Sequence, residues 1–327
     1  MMEAIVSFRE KNFQIEGLRG VAIMLVVIYH LIDRFQQIYL NREIVIMNFW
    51  GSFGVTIFLI ISGCFAVNID SKAITLNEAG YALKKFFLRL WPAYAICICL
   101  TFILTHIAEL PLRTYNLKEL LLNLLVINHV INVPYIDGAH WYLTVLISMF
   151  LVVLVLKIFG IQSCPFVYCV WIAIASIIGC FYNNSFLFGG CFTACYCVGI
   201  AIRALLNVDN QSKFSWYLVL IEAFLATLMT RGMICTVEMI FGGLMVLLCL
   251  YDKLNFLNNV ICIWIGKISY SLYLIHQNVG FWIEYQLMKK MNEYHLFFAL
   301  IAIVVVVLLA VIIFYFIERP ARSIIKK

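Results

Sequence analysis

Apolar runs recur along almost the whole chain, each closed by a short polar break. Crossing ~30 Å of hydrocarbon takes about 20 apolar residues in a helix. The pattern therefore predicts ten spans, at roughly 17–35, 50–68, 88–107, 139–158, 165–182, 186–204, 215–230, 233–251, 261–285 and 295–317. One further apolar piece, 119–132, is short for a crossing and carries Asn123, Asn128, His129 and Asn132, so it reads as a re-entrant or interfacial segment. The expected fold is all-α: a polytopic transmembrane helical bundle filling residues 1–327 as a single domain, with no room for a soluble one.

Composition agrees, with 65% hydrophobic and 12% charged residues and a mean hydropathy of +1.00, well beyond soluble usage. The first apolar run is preceded by Arg9 and Lys11, but Glu16 and Arg19 interrupt its entrance and no small-residue cleavage site follows. It is expected to remain as the first span rather than to act as a signal peptide. The 12 cysteines lie mostly inside apolar segments without CxxC pairing, which reads as reduced, space-filling thiols.

The net charge of +6 bears first on topology, not on an acidic or nucleic-acid partner. With the N-terminus inside, fifteen Lys and Arg fall on the inner side and seven on the outer: Arg34, Arg42, Arg113, Lys118, Arg231, Lys289 and Lys290. The excess expected of cytoplasmic loops places both termini in the cytoplasm and keeps 119–132 from counting as a span.

Against this background "EGLRGVAIMLVVIYH", residues 16–30, stands out, because ionisable groups inside a bilayer are costly and carry a partner or a function. Arg19 and His30 are eleven residues apart, three helical turns or ~16 Å along one face. Asp33, a turn beyond His30, is placed to orient the imidazole. A simple Glu16–Arg19 pair at i, i+3 is the structural alternative for the arginine.

Depth counting along the other spans gives two layers. Ser62 in "GVTIFLIISGCF", the basic trio Lys84, Lys85 and Arg89 in "KKFFLRLWPAY", and Lys267, Ser269 and Tyr270 in "IGKISYSLYLIH" fall on the inner side. His140, Trp141 and His276 fall with His30 on the outer side. A cationic inner layer suits the phosphates of a cytosolic donor. A histidine titrating near neutrality suits removal of a proton from an acceptor hydroxyl. The bland readings are positive-inside anchoring for the lysines and an aromatic belt for His140 and Trp141. His106, His129 and His295 read as interfacial polar residues, and Glu222 and Glu238, inside spans seven and eight, as paired or functional acids.

These stretches, in this order and closed by "ERP", resemble the acyltransferase family 3 of integral-membrane O-acyltransferases, over nearly the entire chain. The resemblance implies transfer of an acyl group, most often acetyl from acetyl-CoA, to a hydroxyl of a cell-surface or lipid-linked glycan. It further implies a multi-pass protein of a bacterial cytoplasmic membrane that meets acyl-CoA, glycan and lipid, with no metal and no nucleic acid. Essential roles carry over to Arg19 and His30, and motif positions to Lys85, Arg89, Ser62 and Gly63. Two features depart from the family. "WYLTVLISMF" lacks the glutamate many members have after the tryptophan, and no esterase-like domain follows in this sequence. The chain is expected to finish the transfer itself or to pass the acyl group to a separate protein.

The expected mechanism has acyl-CoA phosphates at Lys84, Lys85 and Arg89. The thioester lies in a polar channel lined by Arg19, Ser62 and Tyr270, and His30 serves as general base. Direct transfer is the default, because nothing resembles a nucleophile elbow. A proton-coupled transporter is the rival class; the halves of the chain show no internal repeat of the kind carriers often have. Within the acyltransferase class, another donor or a non-glycan acceptor remains the alternative.

Overall fold

The computed structural model describes residues 12–67, 72–107, 110–181, 186–207 and 213–324. Arg9, Lys11, Lys326 and Lys327 of the charge count lie outside the described residues. The chain is 84% helical, with no strand among the described residues, and is an all-α polytopic bundle. In chain order the helices are α1 (Phe13–Ile28), α2 (Phe35–Tyr39), α3 (Val45–Ala66), α4 (Leu76–Ile107), α5 (Leu117–Leu124) and α6 (Trp141–Ile158). They continue as α7 (Pro165–Phe181), α8 (Thr193–Asn207), α9 (Lys213–Leu250), α10 (Val260–Met291), α11 (Leu296–Ile313) and α12 (Arg319–Ile324).

Seven stretches among the described residues are long and apolar enough to cross a membrane. The ten expected spans differ from these at three places. The helix for 165–182, α7, is short at 17 residues. The expected spans 215–230 and 233–251 lie in one stretch, α9, divided by Gly232 at φ +82° and ψ −179°. Thr227 Oγ1 lies 3.3 Å from Met239 Sδ; a continuous helix would hold residues twelve apart at about 18 Å. The chain therefore doubles back at Gly232, in a backbone conformation that suits glycine. The helix for 261–285, α10, runs through all 32 of its residues, but Lys267, Glu284, Lys289 and Lys290 dilute its apolar character.

Local chemistry explains the remaining boundaries. Helix α4 starts at Leu76, twelve residues before the expected span, because Thr75 and Glu78 cap it reciprocally: the Thr75 N–H donates to Glu78 Oε2, and the Glu78 N–H to Thr75 Oγ1. Its 32 residues span about 48 Å at 1.5 Å each, more than a bilayer core requires. The piece expected to be re-entrant or interfacial overlaps the eight-residue α5, which is capped by an Asn116–Glu119 box and followed by irregular chain. Helix α1 passes into a π-helical turn, Tyr29–Arg34, before α2.

The helices cluster into two compact units. The first comprises the chain up to Ala22, Ser52–Ala79 and Val145–Lys267. Its centre is α8, where Ala194, Cys195, Cys197, Ala201 and Ala204 are all buried. Helices α3 and α8 touch backbone to backbone. A Cβ on Gly63 would sit 1.9 Å from the Tyr196 carbonyl oxygen, and one on Gly199 would sit 2.0 Å from that of Ile60. Such small-residue contacts are the usual means of close helix approach in membranes. Lys157 donates to the Ala66 carbonyl at 3.0 Å, satisfying an end group of α3. Each of the 12 cysteines is a free thiol.

The second unit comprises Ile23–Gly51, Gly80–Thr144 and Ile268–Lys327. Its core includes Leu272, Leu274, Ile275 and Phe281 of α10, Leu31 of the π turn, Phe35 of α2, and Phe298, Ala302 and Val306 of α11. A Cβ on Gly280 would meet Leu31 Cδ2 at 2.3 Å, so this glycine lets α10 close on the π turn beside His30.

Candidate active site

In the second unit, the π turn, the segment before α6 and the middle of α10 bring buried polar groups together. His30 is half-buried on the π turn, with Nδ1 2.8 Å from the Val26 carbonyl oxygen. His276, fully buried on α10, has Nδ1 2.8 Å from the Tyr273 carbonyl oxygen, and its Nε2 faces His30 Nδ1 at 3.3 Å. The two rings stand edge to face, with centroids 4.9 Å apart. A π turn inside an α-helix frequently marks a functional position, because it turns a side chain off its regular face.

The turn of α10 that carries His276 is held at both ends. The His140 Nε2–H donates to the Leu274 carbonyl at 3.0 Å, and the Asn278 N–H donates to Asp137 Oδ2 at 3.1 Å. Asp137 also caps the 3-10 turn Gly138–His140 by accepting from the Ala139 N–H at 2.9 Å. Both Asp137 and His140 are buried. Because Leu274 O can only accept, Nε2 of His140 carries a proton, and its Nδ1 is buried with no hydrogen-bond partner among the described residues. Outside the helices, Tyr135 donates to Thr144 Oγ1 at 3.0 Å, and burial pushes its phenol up to about 12, so it stays a donor at neutral pH. Burial also holds the His129 imidazole below its usual value.

Asp33 corrects an expectation. Its buried carboxylate accepts from the Ile44 N–H and from Gln37 Nε2, both at 2.7 Å, and does not reach His30. The π turn alters the simple i, i+3 geometry, and α2 with the chain after it takes Asp33 as an anchor. Tyr270 donates its hydroxyl proton to the Leu90 carbonyl at 2.8 Å, so it can offer a substrate acceptor lone pairs only. Ser269 is buried beside it in sequence, and Trp141 is half-buried at the start of α6. Lys84, Lys85 and Arg89 lie on exposed positions of α4, within a turn and a half of one another.

Arg19 and Ser62 belong to the first unit. Arg19 pairs with Glu16 at 3.5 Å, the i, i+3 alternative noted above, with 22% of its side chain exposed. Ser62 is half-buried on α3. Its neighbour Gly63 owes its place in the motif to the contact with Tyr196, a packing reason rather than a chemical one. Glu238 is fully buried and accepts from Ser52 Oγ, and Glu222 bonds Cys169, so both intramembrane acids are partnered.

Asp137 and Glu318 are buried acids of the second unit that the pattern of apolar runs does not single out. Glu318 is fully buried, accepts from Ser271 Oγ and pairs with Arg322, which accounts structurally for the acid of the closing "ERP". The signal for Asp137 was an Asp-Gly turn entering an apolar helix, "YIDGAHWYL".

The chain belongs to the acyltransferase family 3: the family model described as an acyltransferase domain matches residues 12–316. No curated protein and no solved structure matches the chain. The family makes this multi-helix membrane protein an acyltransferase.

Proposed function

We propose that the chain moves an acetyl group from cytosolic acetyl-CoA to a hydroxyl of a cell-surface or lipid-linked glycan at a bacterial cytoplasmic membrane, with both termini in the cytoplasm. The observation that carries the reading is His30, a half-buried imidazole of the family's first-span signature whose Nδ1 is engaged by the Val26 carbonyl and His276. The fifteen-to-seven charge asymmetry supports the orientation.

In this reading Lys84, Lys85 and Arg89 bind the phosphates of the donor, for which exposed cations on one helix are suited. Arg19, about 16 Å along the first span from His30, has its part in binding the anionic donor rather than at the reacting carbon. Tyr270, whose own proton goes to the Leu90 carbonyl, contributes acceptor lone pairs beside the donor. His30 takes the proton of the acceptor hydroxyl while that oxygen bonds to the acyl carbon. The carbon–sulfur bond breaks, and the CoA thiolate leaves to become the thiol. An acetyl group and a proton change places, so the products are an acetyl ester and free CoA.

The test is release of CoA thiol from acetyl-CoA by membranes containing the full chain. His30→Ala should lower the rate by about 10²–10⁴, the usual contribution of a general base. A rate equal to wild type would remove His30 from the chemistry.

A further inference from the structure

Backbone carbonyls set the tautomers of the two histidines of the second unit. The Val26 and Tyr273 carbonyl oxygens can only accept, so in the neutral state both imidazoles carry their proton on Nδ1. His276 Nε2 is then a bare lone pair, and it lies 3.3 Å from the His30 Nδ1–H. His30 in turn is left with its lone pair on Nε2.

We propose that His276 is the positioning residue of the transfer: its Nε2 shares the His30 Nδ1–H with the Val26 carbonyl, and the two acceptors together fix the ring and the tautomer that present His30 Nε2 to the acceptor hydroxyl. The inference rests on His30 acting as the base. When His30 Nε2 takes the hydroxyl proton, the imidazolium keeps Nδ1–H on Val26 O and His276 Nε2, and that bond becomes charge-assisted. The proton then leaves from Nε2 to the departing thiolate, so His276 ends as it began. The surroundings hold His276 for this task. Asp137 and His140 grip the ends of the turn Leu274–Asn278, and Gly280 lets Leu31 pack close against α10.

A purely structural His276 and a positioning His276 are separated by kinetics in membranes, with acetyl-CoA as the probe and CoA thiol as the readout. His276→Phe should lower kcat by about tenfold or more with KM for acetyl-CoA unaltered, since it weakens the base and not donor binding. His276→Gln, whose amide oxygen can accept the same N–H, should recover most of that loss. In a His30→Ala background, His276→Phe should cause no further fall, because the two act as one unit. Where His276→Phe does not accumulate, His276→Asn takes its place, its shorter amide falling short of His30.

A His276→Phe rate equal to wild type, alongside an inactive His30→Ala, would overturn the positioning role and leave the base standing. So would a His276→Gln as impaired as His276→Phe, or a further loss in the double variant. An active His30→Ala would instead overturn the reading on which the inference rests.

Discussion

His30 and Asp33 are three residues apart and have different tasks. His30 turns inward to His276, whereas Asp33 accepts from the Ile44 N–H and Gln37 and so ties the end of the first span to the chain that follows. Asp33→Ala should therefore act on folding, with a loss of about 1.5–3 kcal/mol or more as two charge-accepted hydrogen bonds disappear. Thermal melting of detergent-purified protein would show it, and activity per folded molecule should fall far less than in His30→Ala. Arg89→Ala should raise KM for acetyl-CoA severalfold if its cation binds phosphate. An unaltered KM would make it a topology signal alone. The candidate histidine was legible in the sequence because an ionisable residue closing "VAIMLVVIYH" is hard to place in lipid without a partner or water. Its partner was legible as a histidine of the same outer layer, though not as the one that pairs with it. Pairing residues 246 apart depends on the π turn and on Gly280, neither of which leaves a periodic trace.

Among the elements, the glycines of the motifs bring helices together. Gly63 and Gly199 each lie against a carbonyl of the other helix, so a single methyl has nowhere to go. Gly63→Ala should cost about 1–3 kcal/mol or more by overpacking, read as lower yield and melting temperature. Wild-type stability in that variant would contradict the backbone contact. The closing helix depends on a buried acid: Arg322→Ala would strand Glu318 without its ion-pair partner and should cost about 3–5 kcal/mol. Span positions followed well from apolar run length, including the reversal between 230 and 233 where Gly232 stands. Helix starts followed less well. The twelve-residue extension of α4 was written in the Thr75–Glu78 pair, a capping signal that run length ignores. The same signal, Asn116 with Glu119, starts α5.

At the scale of the whole molecule, the all-α polytopic fold and the acyltransferase family both follow from the chain's pattern, because run length sets the helices and the ordered stretches set the family. Which donor and acceptor are used is decided by shapes that no motif encodes. The central claim is that this chain places an acetyl group on a glycan through His30. Mass spectrometry of cell-surface and lipid-linked glycans tests it most directly, comparing cells with the wild-type gene, without it, and with His30→Ala at matched protein levels. The account predicts an acetyl-sized mass increment on one glycan in the wild type alone. Identical glycans in all three strains, or an increment that persists in His30→Ala, would contradict it.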